Sequence, residues 1–178
     1  MIFSSIDSLH AEAVKALFLA TFFDSEGENA GTTNSKLAFD LAHAINNQDV
    51  FGFACTDNAE LVAAIFFSRL SFAAPIDVFI LSPVAVLTEK QGSGIGQRLI
   101  AFGLEEISKQ GASYATTYGD PDFYSRIGFE PLSTMIIEPP YTLSQPEGWL
   151  GQSLNNEPLV SRLGRAQCVA ALDDQVFW

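Results

Sequence analysis

One run, Val84-Ala85-Val86-Leu87-Thr88-Glu89-Lys90-Gln91-Gly92-Ser93-Gly94-Ile95-Gly96-Gln97-Arg98-Leu99-Ile100, constrains the fold of this chain more than any other. An apolar, β-branched stretch gives way to a loop with glycine at 92, 94 and 96, and an amphipathic stretch follows at once. The pattern predicts strand, tight turn and helix in direct succession. Glycines let successive N–H groups converge on a ligand at close range. The first helical turn adds its own unpaired N–H groups and the positive end of its dipole. Such a turn suits a phosphate or pyrophosphate, the dipole alone contributing roughly 0.3–2 kcal/mol.

Three anion-binding turns compete for this run. A nucleoside-triphosphate loop needs Gly-Lys-Ser or Gly-Lys-Thr to reach the terminal phosphates and magnesium, whereas here Gly96 precedes Gln97-Arg98. The dinucleotide fingerprint needs G-x-G-x-x-G at the opening of a βαβ unit. In this chain the glycines are spaced G-x-G-x-G, Leu99 takes the third required position, and the run lies mid-chain. The third pattern is Gln/Arg-x-x-Gly-x-Gly/Ala, and Gln91-Gly92-Ser93-Gly94-Ile95-Gly96 fits it at every fixed position.

With these residues the chain resembles the GNAT superfamily of N-acetyltransferases, in which this turn holds the pyrophosphate of acetyl-coenzyme A. Downstream, Phe123-Tyr124-Ser125-Arg126-Ile127-Gly128-Phe129 fits the superfamily's Phe-Tyr-x-x-x-Gly-Phe element, behind the loop Gly119-Asp120-Pro121-Asp122. Pro83-Val84-Ala85-Val86 is similar to the entry strand of bacterial small-molecule acetyltransferases of this length. Those usually carry Gly-His-Pro where this chain has Gly119-Asp120-Pro121. The strong resemblance covers residues 76–131. A lone glycine turn reads as a plain strand-to-helix connection; two ordered motifs at matched spacing argue against that.

The resemblance implies an α/β (α+β) fold: a central mixed, mostly antiparallel sheet of about seven strands, splayed mid-sheet and flanked by about four helices. It implies acetyl-CoA as cosubstrate, with Gln91, Gly92, Ser93, Gly94, Ile95, Gly96 and Gln97 around the pyrophosphate. Main-chain groups of Val84, Ala85 and Val86 would pair with the pantetheine arm as an added strand does, and Asp120, Phe123 and Tyr124 complete the cofactor side.

Bulk properties set the frame. At 178 residues, one domain spanning 1–178 is the natural expectation. A hydrophobic fraction of 48% with 17% charged residues is globular composition, and fifteen phenylalanines predict an aromatic core. No apolar stretch reaches membrane-spanning length, and the N-terminus lacks a charged-then-apolar secretory pattern. Cys55 and Cys168 are isolated, which reads as reduced thiols and a cytoplasmic address. With only His10 and His43 and no cysteine pair, no metal is expected. The net charge of −12 argues against a nucleic-acid partner and permits a cationic one, while serving equally as a solubility device. Lys90 and Arg98 are the cations placed to help an anionic cofactor.

Periodicity predicts an opening strand at 2–6, then a helix capped by Asp7 or Ser8 and running to Phe22. An exposed loop at 24–29 and a helix over 33–46 follow. Residues 51–55 and 61–67 flank the turn at 56–60 as a hairpin. A strand spans 77–86, with Pro83 marking an edge or bulge, and a helix spans 95–110, with Gly111 as its cap. Residues 113–118 form a strand, 121–126 a helical turn, and 128–129 open another strand. Five of the eight prolines fall between 131 and 158, a stretch read as loop, with 149–154 and 167–172 closing the sheet.

Acetyl transfer to an amine requires a held thioester, a polarised carbonyl, a deprotonated amine and a protonated leaving thiolate. A backbone N–H near Val84 or Ala85 is the candidate oxyanion donor. Tyr124 takes, by resemblance, the position of the general-acid tyrosine, since a phenol of pKa ~10 keeps its proton at neutral pH. Tyr114 and Tyr118 are lesser candidates that read equally as core residues. No base stands out among Asp77, Asp120 and Glu130, while Glu26 and Glu28 could meet a cationic acceptor. The leading expectation is an N-acetyltransferase acting on a small-molecule or peptide amine, with a homodimer allowed. The readings left open are another acyl donor or acceptor, and a non-catalytic acyl-CoA sensor.

Overall fold

A computed structural model describes residues 1–159 and 162–178. In chain order the elements are β1 (Ile2–Ser5), α1 (Ala11–Glu26), α2 (Glu28–Ala44), β2 (Val50–Asp57), β3 (Glu60–Leu70), β4 (Val78–Val86) and α3 (Ile95–Lys109). There follow β5 (Tyr114–Tyr118), α4 (Pro121–Tyr124), β6 (Glu130–Pro131), β7 (Ile137–Glu138), β8 (Trp149–Ser153) and β9 (Gly164–Arg165). Seven strands hydrogen-bond in the order β1-β2-β3-β4-β5-β8-β6, and β7 pairs with β9 in a separate parallel ribbon. β1–β2, β5–β8 and β6–β8 are antiparallel, whereas β4–β5 is parallel. This mixed sheet with four α-helices is the expected architecture. Among the described residues no helix is long and apolar enough to cross a membrane.

The chain forms two compact units, Met1–Phe67 with Pro83–Gly103, and Ser68–Ser82 with Leu104–Trp178. The first holds the α1–α2 hairpin, β1, β2 and the glycine turn. Its core is aromatic, as composition predicts: Phe18, Phe66 and Phe67 are fully buried, and the Phe18 and Phe66 rings lie 6.2 Å apart. Burying such a ring contributes about 1.5–3 kcal/mol relative to leaving it exposed. The second unit is built on β5, β6 and β8 and buries Trp149 and Phe129. The Trp149 indole N–H donates to the Ile137 carbonyl at 3.0 Å, which satisfies its one polar atom.

Two expectations need correction and a third is narrowed. The exposed loop predicted at 24–29 is helix: α1 runs through Glu26, only Gly27 (φ +91°) intervenes, and α2 begins at Glu28. Polar residues there mark the outer face of a helical turn, and polarity alone does not end a helix. The closing strand expected at 167–172 is absent. Gln167 makes one isolated bridge to Ser71, and Ala170–Leu172 is a 3₁₀ turn. Four apolar residues in a row carry no period that separates strand from turn. Of the two readings of Pro83 the sheet edge is excluded, because β4 lies between β3 and β5, and the bulge is left. Pro83 lies two residues beyond the last β4–β5 pair, Leu81↔Thr117, so its missing N–H costs that ladder nothing. The hairpin turn is as expected: Asn58 and Ala59 alone join β2 to β3, at φ +50° and +66°, the signs a type I′ turn requires.

Candidate active site

The end of β4 is anchored from one side. The Leu87 N–H donates to the Val62 carbonyl of β3 at 2.9 Å. Because the Val86 C=O belongs to the same trans peptide, it points away from β3. The Val86 carbonyl accepts from Gln91 Nε2 at 3.0 Å and from Thr21 Oγ1 at 3.4 Å.

The glycine turn is held open by its backbone. Gly92 and Gly94 adopt φ +70° and +76°, and no atom lies within 4 Å of where a Cβ would stand on either. The Ser93 hydroxyl donates back to the Lys90 carbonyl, and the Arg98 N–H donates to the Gly94 carbonyl at 3.1 Å, starting α3. Ile95 is buried beneath this turn at 2% exposure and fixes where the helix begins, while Gln91, Gly92 and Ser93 are exposed. The result is an unencumbered shelf of main-chain groups at a helix N-terminus, the arrangement an anion needs.

The two cations expected to assist are otherwise engaged. Lys90 Nζ pairs with Asp57 at 3.1 Å, and that hydrogen bond and charge raise its pKa. The Arg98 guanidinium lies 5.9 Å from the Phe3 ring centroid, and its Nε donates to the Gly94 carbonyl at 3.4 Å. Sequence reasoning also missed Thr88, whose hydroxyl donates to Asp24 at 2.8 Å and ties the turn to the last helical turn of α1. With the partners 64 positions apart, no local pattern announces that bond.

In the second unit, Asp120 caps α4: its Oδ1 accepts from the Asp122 N–H at 2.9 Å, with Pro121 at the first helical position. This short turn presents Phe123 and Tyr124, whose rings meet edge-on at 5.0 Å. Phe129 packs edge-on against the other side of Tyr124 at 5.7 Å. Burial pushes the Tyr124 phenol above the usual tyrosine value; a hydrogen bond with the Thr117 side chain opposes the rise and the Asp120 carboxylate adds to it. Thr117 itself donates to the Leu81 carbonyl at 3.0 Å, at the last β4–β5 pair, where β5 has one residue left and β4 five. Of the acidic candidates, Asp77 is paired with Arg69, Asp120 is a cap, and Glu130, Glu26 and Glu28 are exposed. His10 bonds Asp7 at 2.9 Å and His43 bonds the Phe39 carbonyl at 3.0 Å, so each has a local role. Among the described residues no His, Cys, Asp and Glu group could hold a metal ion.

A mixed sheet with a glycine turn opening its central helix and a tyrosine-bearing turn after the following strand defines the acetyltransferase class. No protein-family profile matches the chain. It is 30% identical over 133 residues to the uncharacterised N-acetyltransferase YhbS of Escherichia coli, covering 68% of this chain and 69% of that protein. It is 34% identical over 113 residues to YjhQ, another uncharacterised N-acetyltransferase of E. coli, spanning 60% of this chain and 62% of that protein's length. The crystal structure of YhbS, a GNAT family member in complex with CoA, superposes with a TM-score of 0.81 at 20% identity, covering 98% of this chain and 92% of that one. A GNAT family acetyltransferase from Brucella melitensis in complex with acetyl-CoA gives 0.74 at 21% identity, covering 97% of each. The chain belongs to the GNAT family of N-acetyltransferases.

Proposed function

We propose that residues 1–178 act as one transferase domain that moves an acetyl group from acetyl-CoA to the amine of a small molecule or peptide. The observation that carries this reading is the open glycine turn. Two glycines at positive φ, with empty space above them, lead straight into the first turn of α3. That shelf fits a diphosphate. The amides of residues 91–97 would hold it, and the main chain of Val84, Ala85 and Val86 would pair with the amide-bearing arm. At Val86 that pairing falls to the N–H, since the carbonyl already has two donors. The relatives crystallised with CoA and acetyl-CoA support the same choice of ligand.

When bound, the thioester supplies the activated acetyl group. The amine attacks its carbonyl, and a backbone N–H near Val84 or Ala85 stabilises the developing oxyanion. In enzymes generally, loss of one such donor costs about 10²–10³ in rate. The Tyr124 phenol then passes its proton to the departing sulfur. Burial suits it to this, because a raised pKa keeps the phenol protonated across the working range. The acceptor would arrive neutral or lose its proton to water or to an exposed carboxylate such as Glu26, Glu28 or Glu130.

Calorimetry with CoA and a thiol-release assay over an amine panel test this together. Tyr124→Phe should keep CoA affinity and lower kcat by about 10²-fold or more. Full turnover in that variant would remove Tyr124 as the acid. CoA binding with no thiol release on any amine would instead favour an acyl-CoA sensor.

A further inference from the structure

The Tyr118 hydroxyl makes two hydrogen bonds to one loop. It accepts from the Gln145 N–H at 2.8 Å and exchanges a hydrogen bond with the Ser144 hydroxyl, also at 2.8 Å. Both partners belong to the loop that enters β8, and that loop continues into Gly148. There the Gly119 N–H donates to the Gly148 carbonyl at 3.0 Å, extending the β5–β8 ladder one step beyond its last pair, Tyr118↔Trp149. The fit is tight on both sides. A Cβ on Gly148 would stand 2.9 Å from the Gly119 carbonyl oxygen and 3.3 Å from the Tyr118 ring. A Cβ on Gly119 would stand 2.7 Å from Cε2 of Tyr124.

These contacts form one chain. Tyr118 holds residues 144 and 145, the loop delivers Gly148 onto Gly119, and the Gly119 backbone is the surface on which the Tyr124 ring rests. We infer that Tyr118 is a positioning residue: through the 144–148 loop and Gly119 it fixes the placement of the Tyr124 phenol. The inference rests on the proposed role of Tyr124 for its effect on rate, but the placement itself can be read without turnover. Tyr118 touches no reacting atom in this account. Its hydroxyl acts at one remove, by removing the freedom of the loop that backs Gly119. A proton donor held even an ångström off its path loses rate steeply, on the order of 10²-fold in unfavourable cases.

The test uses the full chain carrying 3-fluorotyrosine at its four tyrosines, with the fluorine lines assigned by single Tyr→Phe variants. Tyr118→Phe removes both loop hydrogen bonds while keeping the ring, and Ser144→Ala removes one of them. The expected result is a shifted or broadened Tyr124 line in Tyr118→Phe and a smaller change in Ser144→Ala. In unlabelled protein Tyr118→Phe should lower kcat on the order of tenfold with CoA affinity unchanged. Added to Tyr124→Phe, the same substitution should cost nothing further. An unmoved Tyr124 line overturns the inference whatever the kinetics show, and so does an equal loss of kcat in both backgrounds. If the line moves while Tyr124→Phe keeps full activity, the placement stands and the general-acid reading is what fails.

Discussion

Lys90 Nζ lies 3.1 Å from the Asp57 carboxylate, so the cation that precedes the glycine turn is bound to a strand-end acid. The Met1 amino group lies 3.8 Å from the same carboxylate, which makes Asp57 the centre of a small charge cluster. Asp57→Asn frees Lys90 and removes a negative charge from the side of the proposed diphosphate site. CoA affinity should rise about two- to fivefold at low salt, the range of an exposed pair, and the gain should shrink at high salt. Calorimetry at two ionic strengths checks it.

Gly94→Ala separates space from backbone. Nothing lies within 4 Å of the added methyl, so no clash is expected, but φ +76° is strained for an L side chain. The cost of about 1–2 kcal/mol should appear as lower stability or as a turn that relaxes and loses amide alignment. Weaker CoA binding by about tenfold, with a small drop in Tm, is the expected pair of measurements.

The pH dependence follows from Tyr124. Its folded-state pKa is raised by burial, so the proton it contributes stays in place below the unfolded value and is lost only as pH rises through the folded one. The alkaline limb of kcat should therefore begin above pH ~10, and the stability tied to this phenol should fall over the same interval. A pH–rate profile limited by a group titrating near 7 would contradict that assignment.

Ala59 occupies a turn position that favours glycine. At φ +66°, next to Asn58 at +50°, it completes a type I′ hairpin with a residue poorly suited to the left-handed region. Ala59→Gly creates the preferred Asn-Gly pair and should stabilise the protein by up to about 1 kcal/mol, or ~2–4 °C in Tm. Thermal unfolding of the two proteins decides it.

Both thiols should be quiet. Burial and the Asp173 carboxylate push the Cys168 pKa up to about 11, and burial raises that of the fully enclosed Cys55. At pH 8 only about one Cys168 in a thousand is ionised. A thiol reagent should label the native protein slowly and react with both cysteines promptly after denaturation.

Much of the local form of the candidate site is legible in the sequence because its residues are contiguous. The glycine spacing at 91–96 implies the open turn, and Asp120-Pro121 implies the cap and first residue of α4. Elements failed where the signal was short or ambiguous. The polar stretch at 24–29 carries no helical period of its own and is helical because α1 and α2 pack together around it. The 167–172 run has strand-like residues but makes only one bridge.

By itself the sequence determined the form of the glycine turn and the helix that follows it, since backbone freedom and helix polarity depend on residues that are neighbours in the chain. It determined equally where an ionisable phenol sits one turn past β5. Only the tertiary structure decided that Lys90 is spoken for by Asp57, that Val86 is capped by Thr21, and that Gly119 is the bed of the Tyr124 ring. Those partners meet because strand order and loop docking bring distant backbone together, and a side chain's free energy there depends on neighbours that no local period encodes.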